Sequence, residues 1–464
     1  MNNINEKFKP FKEQLKQENL PEVFIKNFEY QYEKLVNGET GEIPESQLEP
    51  ISELTGSEKL PQNLKKLGQE NFKRTVFLKL NGGLGTSMGL EKAKSLLRVK
   101  KEYTFLDIIA NQSIKGGYRL LLMNSFSTQQ DSIEYSRKYS GLEGDIPLDF
   151  LQHKSPKVKQ SDYSPVHWPQ NSQLEWSPPG HGDLYLALYS RGVLEQLIDA
   201  GYQYVFISNA DNLGAVLDPT ILGHFIQNNY PFMMEVADRT EADKKGGHLA
   251  RRKDGQLILR EIAQCPEADQ PAFQDTKKHR YFNTNNLWLN LLELRKTLQK
   301  NNFIFDLPLI RNQKTVDPRD PDSTPVFQIE TAAGSAVSIF KGSSAIRVPR
   351  TRFSPVKNTN DLLAVRSDLY SLSDNFQVNA LFTPGIHSPV IDLDSRYYKL
   401  IDDFEERFSD GPPSLKNCRM FKIQGDIKFG KLVRLEGNVT LINKDKVQKN
   451  IPDNTVFKNT TETF

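Results

Sequence analysis

The chain has 464 residues, with 60 Lys and Arg against 58 Asp and Glu for a net charge of +2, and two cysteines. That length exceeds what one hydrophobic core usually serves, so two or three domains are expected, while the balanced charge and the lack of a basic stripe interleaved with aromatics exclude a nucleic-acid partner. The cysteines, Cys265 and Cys418, stand far apart and near no histidine pair, which excludes a disulfide scaffold and a zinc ribbon.

The polar start MNNINEKFKP and the absence of any run near twenty apolar residues predict no leader and no membrane span, hence a cytosolic protein. Pro21 opens a predicted helix in which Phe24, Phe28, Tyr32 and Leu35 recur at helical spacing until Asn37-Gly38 stops it, the pattern of a docking helix. From about Arg74 to about Tyr370, short apolar strands (VFLKL, RLLLMNS, YVFISNAD, FMMEVA, FNTNNLWL) alternate with helical patterns. This predicts a mostly parallel α/β sheet with its ligand at the carboxyl ends of the strands.

At the first of those ends stands RTVFLKLNGGLGTSMGLEKAKS, residues 74–95. Gly82, Gly83, Gly85 and Gly89 allow positive φ and bring bare backbone N–H groups close to a ligand, and Lys92 and Lys94 follow, so the segment predicts a phosphate site. From Gly83 the glycines read G-x-G-x-x-x-G, one residue too long for a dinucleotide fingerprint, and no acidic residue closes a strand about twenty residues on. Nor is there a Walker A loop. These absences argue against an NAD-binding oxidoreductase.

The proline-rich stretch over 155–181 has no strong periodicity and predicts a long loop over the site. It ends in Gly180-His181-Gly182-Asp183, where freed backbone and an imidazole suit either a phosphate or sugar contact or a structural turn. Asp211 ends the strand YVFISNAD, placed to hold a hard cation or to cap a turn. Asn283-Thr284-Asn285-Asn286, at a strand start, and Glu330-Thr331-Ala332-Ala333-Gly334 set amides and a carboxylate beside small residues, for sugar hydroxyls or for capping. Lys357, in FSPVKNT, reads by itself equally as a surface amine. Beyond Phe382 the composition shifts. Phe421, Ile423, Gly425, Ile427 and Phe429 are matched twelve residues later by Val433, Leu435, Gly437, Val439 and Leu441, which suits coils of a parallel β-helix or a β-meander. There is no G-x-S-x-G elbow, kinase motif set or H-E-x-x-H. The chemistry left is nucleotidyl or phosphoryl transfer by positioning and charge neutralisation.

In order along the chain, LKLNGGLGTSMG, Lys94-Ser95, FLQHKSP, PPGHGDLY, SNADNLGA, FNTNNLW, QIETAAGSA and RTRFSPVKNTNDLL resemble the successive motifs of the eukaryotic-type UTP:glucose-1-phosphate uridylyltransferases, the UDP-glucose pyrophosphorylases. The resemblance runs from about residue 75 to the end. It implies an α/β, Rossmann-like nucleotidyltransferase domain of mixed sheet (74–382), an N-terminal helical extension (1–73) and a C-terminal left-handed parallel β-helix (383–464). It implies UTP and glucose 1-phosphate as substrates and Mg²⁺ as cofactor. For the nucleotide it points to Leu80, Gly82, Gly83, Lys94, Gln152, Gly180, Asp211 and Lys357; for the sugar phosphate, to Gly83, His181, Asn209, Asn286 and Glu330. Asp211 would carry the metal, and Lys94, Asp211 and Lys357 the catalysis. Two departures stand out. The family's usual Lys-Gly-Pro-Lys-Ser is Glu91-Lys92-Ala93-Lys94-Ser95 here, which keeps the second lysine. The tail beyond Phe457 is short beside relatives that assemble through their β-helices, so a homo-oligomer through that element is an open expectation. Two rival readings are a uridylyltransferase for galactose or N-acetylhexosamine 1-phosphate and a non-catalytic sugar-nucleotide binder.

Overall fold

The computed structural model describes residues 2–381 and 388–464. The expected boundary at 382/383 therefore lies outside the described residues. The largest sheet has ten strands and is mixed. Asp149–Leu151, Arg119–Asn124, Thr75–Asn81 and Tyr204–Asn209 lie in that order and run parallel. The inner three are largely apolar runs buried on both faces, as parallel strands covered by helices must be, while the edge strand Asp149–Leu151 is buried only at Phe150. Beside them Tyr281–Asn290 runs antiparallel both to Tyr204–Asn209 and to Phe232–Asp238, and the latter pairs in parallel with Ser344–Arg347. The expectation of a mostly parallel sheet is corrected by this strand, which carries FNTNNLW. Hydrophobic patterning reports that a strand is buried and says nothing of its direction.

Two helices open the chain, Asn2–Gln17 and Glu22–Val36. The second is the docking helix that the spacing predicts; the first, lysine-rich and interrupted by Pro10, gives a weaker pattern. Phe8, Phe11 and Leu15 from the first join Phe24, Phe28, Tyr32 and Leu35 from the second in one apolar cluster with Val158, Trp176, Phe327 and Ile329. The stretch over 155–181 is thereby pinned rather than draped over a site. Ser155–Pro156 pairs with Trp176–Ser177, Val158–Lys159 joins a sheet with Pro325–Glu330, and only the end of the stretch, from Pro178, reaches the cleft described below.

Toward the C-terminus, Val390–Asp392, Ser414–Gln424, Arg434–Ile442 and Val456–Thr463 stack in parallel, and Ile427–Phe429 stacks in parallel on Lys449–Ile451. These are coils of a parallel β-helix. The twelve-residue register is wrong in detail: Phe421 lies beside Val439 and Ile423 beside Leu441, where that register would place Val433 and Leu435. One coil holds more than one strand and its corners, so alternation within a coil imitates repetition between coils. Phe421, Leu435 and Val439 share an apolar cluster with Phe77, Phe206, Val356 and Leu363, so coils and sheet are packed on a common core. Among the described residues no helix is long and apolar enough to cross a membrane.

Candidate active site

Thr75–Asn81 and Tyr204–Asn209 are neighbours and parallel, so the loops leaving their carboxyl ends open on the same side of the sheet. They bound a cleft of about 270 Å³ lined by Leu80, Gly82, Gly83, Lys94, Gln152, Gly180, His181, Asn209 and Asp211. Nine of the twelve expected residues thus meet at one place.

The glycine loop makes a smooth wall. A side chain on Gly82 would come within 3.1 Å of the Gln152 amide, whereas one on Gly83 would meet no protein atom within 4 Å. Backbone freedom is used further on: the left-handed residues are Gly85 and Gly89, at φ 73° and 76°, either side of the turn Thr86–Met88. Gly82 and Gly83 do not adopt positive φ, so what they offer is close approach.

Beside this loop the Lys94 ammonium lies 2.6 Å from Asp211 Oδ2, with both side chains largely buried. His181 Nδ1 accepts the Ala333 N–H at 2.8 Å, which leaves the ring proton on Nε2. Burial pushes its pKa down to about 4, so near neutrality the imidazole is an uncharged donor. Gly180, at φ 79°, has its Cα against Thr331 and Glu330: a Cβ there would fall 2.4 Å from the Thr331 carbonyl oxygen and 3.2 Å from Glu330 Cβ. Glu330 ends Pro325–Glu330, and burial raises its pKa while Asn312 hydrogen-bonds it. It borders the cleft through Gly180.

Lys357 is exposed, yet its chain segment is tied to Asp211. Val356 donates its N–H to the Asp211 carbonyl at 3.2 Å, Pro355 bridges Asn212, and the Lys357 N–H donates to Asp361 at 2.7 Å. The Asp361 carboxyl feels both Lys357 and Lys94. Lys357 thus stands on a segment bound to the Asp211 turn, outside the residues that line the cleft.

Asn286 is placed otherwise than expected. It is fully buried; its amide donates to Glu235 at 3.0 Å and to the Arg352 carbonyl at 3.3 Å, and its oxygen accepts from Asn212 at 3.2 Å. Its neighbour Asn285 turns instead to Asn209, donating to Oδ1 at 2.8 Å. Asn285 has φ 56° and lies in a bulge of its own strand, where Thr284 and Asn285 are extra between the partners of Glu235 and Val236, and such a kink re-aims a side chain. Strand patterning cannot locate it.

The model of the family described as UTP–glucose-1-phosphate uridylyltransferase matches residues 25–436. The chain belongs to this family. The enzyme of that name from Pyrus pyrifolia is 40% identical over 419 residues, 88% of this chain and 85% of its own, and the one from Solanum tuberosum is 39% identical over 425 residues, 90% and 85% of the two chains. Among solved structures, a variant UDP-glucose pyrophosphorylase from Leishmania major in complex with UDP-glucose superposes with a TM-score of 0.91 at 41% identity, covering 98% of this chain and 99% of that one. The UDP-glucose phosphorylase of Trypanosoma brucei gives 0.89 at 40% identity, covering 99% of each.

Within this uridylyltransferase frame, three groups escaped the sequence reading. Glu261 is a carboxyl whose pKa burial raises; Asn283 hydrogen-bonds it and the Lys357 charge faces it. It lies over Gly247, where a Cβ would come 2.4 Å from its Oε2, so the glycine pair Gly246-Gly247 was the available signal. Lys79 is 1% exposed with its ammonium 2.8 Å from Ser208 Oγ, and burial pushes its pKa down to about 7. A lysine two residues after Phe77, on a strand face that should be apolar, was its signal. Arg352 and Glu235, in fork contact at 2.7 and 2.8 Å, gave none, because their pairing depends on the tertiary fold.

Proposed function

We propose that this chain forms UDP-glucose and pyrophosphate from UTP and glucose 1-phosphate. The observation that carries the reading is the Lys94–Asp211 pair in a cleft lined by the bare glycine loop, with the segment that carries Lys357 bound to the Asp211 backbone. Phosphoryl-type transfers need positioning and charge neutralisation more than covalent chemistry, and this cleft supplies both.

In the proposed reaction an oxygen of glucose 1-phosphate attacks the α-phosphorus of UTP in line, and the bond to the β,γ-pyrophosphate breaks. No general base is required, because a phosphate oxygen is already ionised near neutral pH. Lys94 and Lys357 neutralise the charge that grows on the leaving group. Leu80, Gly82, Gly83, Gln152 and Gly180 line the space for base and phosphates. His181, held neutral, donates from Nε2 to the sugar phosphate. For the glucose hydroxyls the geometry favours Asn209, Asn285 and Glu261, with Glu330 behind Gly180. The buried amide of Asn286 supports this wall without touching the sugar.

The donor set suits Mg²⁺ brought in by the nucleotide. Among the described residues no group of three or more His, Cys, Asp or Glu is arranged to hold a metal, and magnesium with a nucleotide commonly takes one or two carboxylates plus phosphate oxygens and waters. Asp211 is such a carboxylate, and it would exchange its Lys94 contact for the ion. When bound, Mg²⁺ neutralises phosphate charge and fixes the leaving pyrophosphate. The reading also takes residues up to 73 as an extension that buttresses the cleft and the C-terminal coils as a separate element. Self-association belongs to it too, through Val456–Thr463, which pairs on one side only among the described residues.

Pyrophosphate release from UTP, measured across glucose, galactose and N-acetylglucosamine 1-phosphates, tests the function. Highest turnover with glucose 1-phosphate is expected. Preference for another sugar would overturn the substrate, and no release with any of them would leave a binding protein.

A further inference from the structure

Lys357 stands on an arm, residues 351–357, that packs on the turn after Asp211 although far from it along the chain. Its own side chain does not hold it there: the ammonium sits 5.9 Å from the Phe353 ring centre, at the outer limit of a cation–π contact. Beyond the Val356 bond to the Asp211 carbonyl, the backbone of the arm must be held by something else. Asn212, directly after Asp211 and 1% exposed, is in position to do so. Its Oδ1 accepts the Ser354 N–H at 2.9 Å and the Gly214 N–H at 3.1 Å. Its Nδ2 donates to the Arg352 carbonyl at 3.1 Å and to Asn286 Oδ1 at 3.2 Å. Two hydrogens and two lone pairs are all an asparagine amide has, and every one is used.

An asparagine that only shapes its own turn needs the bond to Gly214. The bonds to Ser354 and Arg352 cross to the arm and flank Phe353 on both sides. Gly214 permits that approach, since a Cβ there would stand 2.4 Å from the Thr351 carbonyl oxygen and 2.8 Å from the Arg352 carbonyl carbon. From beneath, Arg352 is locked by its two bonds to Glu235 and a third to the Val216 carbonyl at 2.9 Å.

We propose that Asn212 is a positioning residue whose side-chain amide clamps the arm carrying Lys357 to the turn carrying Asp211, so that both charged groups meet the same phosphates at a fixed separation. The inference rests on the role given to Lys357 under the proposed function. A clamp of this kind acts on the transition state through Lys357 and leaves ground-state binding by the glycine wall alone. Asn212→Ala should therefore lower kcat about 10- to 100-fold, the scale of an ångström-sized misplacement, with KM for both substrates within about threefold.

The deciding measurement is a double-mutant cycle on kcat with Asn212→Ala, Lys357→Ala and the pair, each checked for its melting temperature. A clamp predicts strong coupling: in the Lys357→Ala background, Asn212→Ala costs less than about threefold more. Losses that multiply independently would overturn the clamp while sparing the role of Lys357. An Asn212→Ala enzyme as fast as the parent would overturn the clamp too. If Lys357→Ala alone is as active as the parent, the reading of Lys357 falls, and the clamp with it. Should Asn212→Ala melt far below the parent, Ser354→Pro removes one clamp bond from the other side, after a Phe353 already extended at φ −130° and ψ 90°, and the same cycle is read there.

Discussion

Asp211 and Lys94 neutralise one another at 2.6 Å in the free protein; in the proposed reaction each would exchange that partner for an ion of opposite sign brought by the nucleotide. Removing the carboxylate charge in Asp211→Asn leaves the volume unchanged and weakens a divalent ion bridging phosphates. Turnover should fall by about two orders of magnitude or more with the melting temperature nearly unchanged; near-parent activity at saturating Mg²⁺ would contradict the assignment. For Lys357→Ala the expected loss is about a hundred- to thousandfold in kcat, with a smaller rise in KM for glucose 1-phosphate. Lys357→Arg should recover little of it, because a planar fork places its charge differently from a compact ammonium. A kcat within threefold of the parent would make Lys357 a surface amine. At Gly83 the prediction is about space: a Cβ meets no protein atom, so Gly83→Val should keep its stability and lose UTP affinity. Titration of UTP into that variant decides it, and an unchanged Kd counts against the glycine wall.

At the scale of elements, much of the site was legible because its parts are strand ends followed by loops. A β-branched run into glycines, and a strand into Asp211, announce themselves in the chain. Direction and twist do not. Nothing in FNTNNLW says that the strand runs antiparallel, or that a bulge opposite Glu235 turns Asn285 rather than Asn286 to Asn209. Glu261 and Lys79 were missed for a related reason, since a lone charged residue in an apolar strand or turn gains meaning only from its tertiary partners. The strand His248–Arg252 carries another such case. His248 is wholly buried with neither ring nitrogen hydrogen-bonded, stacked on His279 at 3.9 Å and edge-on to Phe273 at 4.8 Å. Burial, then the charges of His279, Arg239 and Arg260, hold its pKa well below the usual 6.5. The folded state keeps it neutral while the unfolded chain takes up a proton near pH 6.5, so its contribution is intact above that pH and is lost as pH falls below it, by about 1.4 kcal/mol per unit. His248→Phe should flatten the fall of melting temperature between about pH 6.5 and 5 without lowering it at pH 7.5. A parallel acid slope in parent and variant would place the acid sensitivity elsewhere.

For the molecule as a whole, the common core of sheet and coils matters most. Phe421 in the coils, Val356 in the Lys357 arm and Leu363 beyond it are fully buried in one cluster, so coils and arm share a core. Phe421→Ala should cost about 3 to 5 kcal/mol, and calorimetry should show sheet and coils moving together to a lower temperature. A separate, earlier transition of the coils alone would mean that the cluster does not couple them. In the proposed reaction the cleft brings two substrates together for a single displacement at the α-phosphorus, with no covalent bond from the protein to the nucleotide. The stereochemistry at that phosphorus tests it most directly. With UTP made chiral by sulfur at the α-position and glucose 1-phosphate as acceptor, one in-line attack predicts inversion in the UDP-glucose analogue. Retention would require two displacements through a nucleotidyl–enzyme intermediate, and would contradict the reading of a cleft that works by position and charge.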